Sequence, residues 1–147
     1  MSLKAWQANG WLTEHVTSRQ EIADLLVVAD RDLANASVAQ LSADWRLAIA
    51  YNAALQSATA ALAAAGYRAA RESHHYRVIH SLGLTIGAEP HLIRELDQFR
   101  KKRNVTHYER AGAVSEREAD EMLTLARGLR RTVELWLRDI HPGLMGA

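Results

Sequence analysis

The sequence predicts an all-α fold: an antiparallel four- to five-helix bundle, built as a single domain over residues 1–147. Three observations predict it. Apolar residues recur at helical spacing along most of the chain, and no convincing alternating strand pattern appears. Only two prolines occur, Pro90 and Pro142, both at expected helix ends. Serine-led capping boxes open two of the long apolar runs.

The elements follow in order. A short helix carrying Leu3 and Trp6 and ending at Gly10 precedes the first long one. That helix starts at Ser18, where "SRQE" sets Glu21 three residues after the cap. Ile22, Leu25, Leu26, Ala29 and Leu33 form its apolar face. After a polar link near residues 35–42, a second long helix runs to about Ala65, with Gly66 as its stop. Its many alanines let neighbours approach closely, which predicts the centre of the bundle. Ser73 caps a third helix, "HHYRVIHSLGLTI", closed by Gly87. Pro90 opens a fourth, with Ile93, Leu96 and Phe99 facing inward. "SERE", Ser115 to Glu118, opens the last helix. Met122, Leu125, Leu129, Val133, Trp136 and Ile140 form its stripe, and Pro142 ends it. Trp45 is expected in the core with Trp136.

Hydrophobic residues make up 48% and charged residues 24%, a globular composition. The absence of cysteine excludes disulfides, thiolate zinc sites and cysteine nucleophiles, and fits the cytosol. The N-terminus lacks the apolar run of a signal peptide. The most apolar stretch, Ile49 to Ala65, is broken by Asn52, Gln56, Ser57 and Thr59, so it reads as a buried helix and not a membrane span. Net charge is +1, so any attraction for nucleic acid must come from a local patch.

That patch is "FRKKRNVTHYE", Phe99 to Glu109. Helical residues advance by about 100° each, so Arg100, Arg103 and His107 share a face if the helix persists. Arg103 lies four after Phe99, and Arg100 four after Leu96. Both arginines therefore extend the apolar stripe, while Lys101 and Lys102 point elsewhere. The inward arginines suggest a cleft or an interface. Continuity is the condition, because Asn104 is a common C-cap and Val105 and Thr106 are β-branched. An imidazole can move a proton near neutral pH. An arginine can hold a phosphate and stabilise charge on it. Together they suit metal-independent RNA cleavage, with Arg100, Arg103 and His107 as catalytic candidates. The plainer reading is a basic helix end that favours the helix dipole.

His74, His75 and His80 cluster without the three- or four-residue spacing of a shared ligand set, which argues for capping or packing and against a metal site. No cofactor is expected either. Asn52, Gln56 and Thr59 form a polar stripe beside Tyr51. It serves either hydrogen bonding inside the bundle or the wall of a polar cleft.

Two stretches resemble the HEPN superfamily, all-α domains named for higher eukaryotes and prokaryotes nucleotide-binding proteins. They are "DWRLAIAYNAALQSATAALAAAGYRAARESHHYRVIHSLG" and "FRKKRNVTHYE", about half the chain in the right order. The family motif is an Arg, often followed by Asn, then four to six residues and a His. Arg100 to His107 has the spacing but is followed by Lys101. Arg103 has Asn104 after it but only three residues before His107. The resemblance implies a homodimer with both motifs facing one cleft. It also implies one of two activities: metal-independent RNA cleavage, in some members as a toxin beside a nucleotidyltransferase-type antitoxin, or nucleotide, RNA or protein binding without chemistry. Asn104, Lys101, Lys102, Tyr108, Asn52 and Tyr51 are the substrate-binding candidates. The resemblance also sets the "SHH" turn close to the motif helix, where one of its histidines could line the cleft.

Overall fold

A computed structural model of the chain describes residues 1–108 and 112–146, with the backbone alone for 105–108. It is an all-α bundle with one small ribbon: α1 (Leu3–Ala8), β1 (Leu12–Glu14), α2 (Arg19–Ala36), α3 (Ala43–Ala64), β2 (Tyr67–Ala69), α4 (His74–His80), α5 (Pro90–Tyr108) and α6 (Glu116–Ile140).

The alanine-rich α3 is the axis. It packs along α2 and α6 and also meets α5, α4 and β2. Ala50, Ala53, Ala60 and Ala61 are fully buried around it, with Leu47 and Leu62 filling the gaps between layers. Small side chains on several faces are what allow one helix so many close neighbours. By length and composition α3 could cross a membrane, but 67% of its most apolar window is buried inside the bundle.

The two serine-led boxes differ in use. At Ser115 the box is complete: its hydroxyl accepts from the Glu118 N–H at 3.0 Å, and the Glu118 carboxylate accepts from the Ser115 N–H at 3.0 Å. At Ser18 only the first half forms. The Glu21 carboxylate is taken instead by the Thr17 hydroxyl at 2.6 Å and His15 at 2.7 Å.

Five expectations need correction. The chain contains a two-stranded antiparallel ribbon, pairing Leu12 with Ala69 and Glu14 with Tyr67. Three residues a side are too few for an alternating pattern to stand out. Trp45 is not in the core but 56% exposed. Its neighbour Arg46 turns inward instead, donating to the Ala36 carbonyl at 2.9 Å, Glu116 at 3.0 Å and Asp120 at 2.6 Å. Ile140 is exposed, because the buried stripe of α6 leaves the helix at Leu137. Ser73 makes no capping bond, and α4 ends at His80 in a 3₁₀ turn over Ser81–Gly83.

The polar stripe of α3 is internal. Asn52 donates to Asp32 of α2 at 2.7 Å, Gln56 donates to Asn52 at 3.3 Å, and Thr59 returns its hydroxyl to the Leu55 carbonyl. Asp32 is almost fully buried and is also held by Arg31.

Candidate functional site

The chain between β2 and α4 turns sharply. Ser73 adopts the left-handed conformation (φ 54°, ψ 36°), the only non-glycine residue to do so among the described residues. Such a conformation costs a non-glycine residue about 1–3 kcal/mol and persists only where the surroundings impose it. The turn starts α4 against α5, and the two helices border a shallow, open polar cleft of about 420 Å³. Ser73, His74, His75, Tyr76, Arg100, Arg103 and Asn104 line it.

α5 runs through Tyr108 without stopping at Asn104. Position 107 therefore stands on the same face of the helix as Arg100 and Arg103. The side chains of His107 and Tyr108 lie outside the described residues. Leu96 is buried and Ile93 and Phe99 partly so, and the arginines continue their stripe. The Arg100 side chain is only 19% exposed.

Each arginine is held differently. Arg100 donates through Nε to Asp97 at 2.8 Å, and its guanidinium carbon lies 5.6 Å from the centre of the Tyr76 ring. Asp97 also has Lys101 at 3.4 Å and His80 at 3.6 Å. Burial alone would raise its pKa, but the hydrogen bond and charge of Arg100, with help from Lys101 and His80, bring it below the ordinary value. Asp97 thus fixes Arg100 at the cleft edge. The Arg103 guanidinium stands 5.7 Å from the centre of the Tyr51 ring, with one weak contact to Asn104 at 3.5 Å.

Tyr51 reaches this region from α3. It is 1% exposed, and its hydroxyl has no hydrogen-bond partner among the described residues. Burial holds its pKa far above the ordinary tyrosine value, although Arg100 and Arg103 pull it down, so the hydroxyl remains a donor. The His75 ring lies 5.9 Å from the Tyr51 ring. Burial first, then the charge of Arg103, pushes the His75 imidazole below the ordinary histidine value. It is neutral near pH 7 and able to accept a proton.

Buried polar atoms without partners concentrate here. Of the four found among the described residues, Tyr51 Oη and Arg103 Nε belong to this neighbourhood, His80 Nε2 faces Asp97 at 3.6 Å, and the fourth is Trp6 Nε1. Leaving such an atom unpaired costs about 1–3 kcal/mol.

Arg100, Arg103 and Asn104 thus share the cleft, and Tyr51 stands behind it. Three other predicted binding residues do not line it. Asn52 is engaged with α2. Lys101 is turned to Asp97, and Lys102 to Glu118 of α6 at 3.4 Å. Sequence reasoning missed Tyr76, Asp97 and Ser73, and read His74 and His75 first as capping or packing residues. A signal did exist for Asp97, which is acidic and three residues before Arg100, a helical ion-pair spacing. The histidines carry no comparable local signal.

No protein-family model matches this chain, and neither a curated protein nor a solved structure does.

Proposed function

We propose that this chain is a HEPN-like domain whose α4–α5 cleft binds a phosphate of RNA or of a nucleotide. The observation that carries this reading is the pair of inward arginines lining the cleft, of which Arg103 has one weak hydrogen bond among the described residues. A phosphate in the cleft offers acceptor oxygens to the guanidinium donors of Arg100 and Arg103 that the fold leaves free. The domain acts in the cytosol as a homodimer, with two clefts bordering one bound strand.

A second reading, metal-independent cleavage, is favoured by the neutral imidazole of His75 and by the continuation of α5 through position 107. The 2′-oxygen of one nucleotide attacks the adjacent phosphorus and passes its proton to an imidazole. The bond to the 5′-oxygen breaks, and that oxygen takes up a proton. The products are a 2′,3′-cyclic phosphate and a 5′-hydroxyl. Arg103 stabilises the charge on the phosphoryl oxygens. In this form a nucleotidyltransferase-type antitoxin is the expected partner.

One experiment separates the two. Single-stranded RNA is titrated against wild type, Arg103→Ala and the exposed control Arg117→Ala, and the same RNA is incubated with each protein in EDTA. Binding reduced about tenfold in Arg103→Ala alone supports the cleft, since a hydrogen bond to a charged group is worth about 1.5–3 kcal/mol. Equal binding by all three refutes it. Cleavage by wild type that disappears in His107→Ala selects the enzyme, and binding without cleavage selects the binding module.

A further inference from the structure

We propose that a second cavity, bounded by α2, α3, β2 and the start of α4, binds a small carboxylate with an apolar body. The cavity measures about 370 Å³, within the range of small-molecule sites. Its floor is hydrocarbon: Leu25, Leu62, Ala63 and Val78. Leu62 and Val78 are 1% exposed, so the floor belongs to the core and is preformed.

The rim supplies the charge. Arg68 and Arg71 border it, both exposed, and among the described residues neither has an acidic group within ion-pair distance. An arginine pair of this kind suits the two oxygens of a carboxylate. Glu21 also lines the cavity but is already occupied. The Thr17 hydroxyl at 2.6 Å and His15 at 2.7 Å hold its carboxylate below the ordinary pKa, with Arg68 contributing. The apolar floor rewards a hydrocarbon body, since burying apolar surface gains about 25 cal/mol per Å².

The cavity touches the cleft through a single side chain, because His74 lines both. A ligand seated here contacts a residue of the α4–α5 site without entering it.

The test uses octanoate as the probe on the full chain, with octanol as its uncharged counterpart. Calorimetry is expected to give saturable one-to-one binding of octanoate with Kd below about 1 mM, and octanol is expected to bind about tenfold more weakly or less. The double variant Arg68→Ala/Arg71→Ala should weaken octanoate about tenfold and leave octanol unchanged. Methyl resonances of Leu25, Leu62 and Val78 should shift on titration. No saturable binding overturns the proposal. So does equal affinity for the two probes, unchanged affinity in the double variant, or shifts confined to other methyl groups.

Discussion

Arg46 and Arg103 both leave a helix on its inward side, but they meet opposite conditions. Arg46 is 8% exposed and satisfied by a backbone carbonyl and two carboxylates from α6. Among the described residues Arg103 has one weak hydrogen bond and a buried Nε without a partner. Arg46 ties α3 to the end of α2 and the start of α6, and its partners are all in the fold. Arg103 lacks that closure, and so does Tyr51 beside it. Burial alone does not distinguish a structural arginine from a ligand-binding one; the tally of hydrogen bonds does.

The contrast can be broken from either side. The largest expected effect is on Arg46: Arg46→Ala should lower the free energy of unfolding by about 2–3 kcal/mol, measured by urea denaturation. The figure stays at that level because Glu116 and Asp120 are 71% and 65% exposed and regain water once the arginine is gone. Arg103→Ala should reverse the pattern, leaving the urea midpoint near that of wild type while RNA affinity falls about tenfold. A loss of stability as large as that of Arg46→Ala would make the two arginines equivalent and end the comparison.

Tyr51→Phe should move stability alone. The ring and its contacts remain while the hydroxyl, unpaired among the described residues, goes, so unfolding should cost about 1 kcal/mol more and RNA affinity should stay near that of wild type. Destabilisation instead would mean that the hydroxyl is paired in solution. The smallest effect is on pH dependence. The folded-state pKa values of His75 and His80 lie below their unfolded values, burial being the main cause for both. The stability these groups allow is complete above about pH 6.5 and is lost as pH falls towards their folded-state values. The urea midpoint should therefore drop between about pH 7.5 and about pH 5.5, and His75→Gln should flatten that drop. An unchanged slope would take His75 out of the buried wall of the cleft.

The long helices were legible because each carries its own start signal and stripe. Ser18, Ser42 and Ser115 all accept from the N–H three residues on, and Pro90 opens α5. The inward turn of Arg100 and Arg103 was legible for the same reason, as an offset from Leu96 and Phe99 on one helix. What escaped depends on partners distant in sequence. Periodicity allows either Trp45 or Arg46 to face the bundle, and Glu116 and Asp120, some seventy residues away, decide for Arg46. His74 and His75 enter the cleft because Ser73 turns left-handed, a conformation that serine does not announce. Asp32 of α2 is buried beside Asn52 of α3, a donor twenty residues away that the pattern of α2 alone does not show.

The ribbon imposes an order on assembly. Leu12 finds its partner only at Ala69, so the first strand must wait while α2 and α3 are made. The helices between the strands form from local contacts and can settle early, but this closure spans about two fifths of the chain and carries the entropy of a long loop. It is followed by a second tie, the guanidinium of Arg77 on α4 stacked 3.7 Å from the centre of the Trp11 ring. During synthesis the N-terminal segment is therefore an unpaired strand beside a growing bundle. The short helix that carries the imidazoles of the cleft, already packed on α3 and α5, gains this further tie when that strand docks.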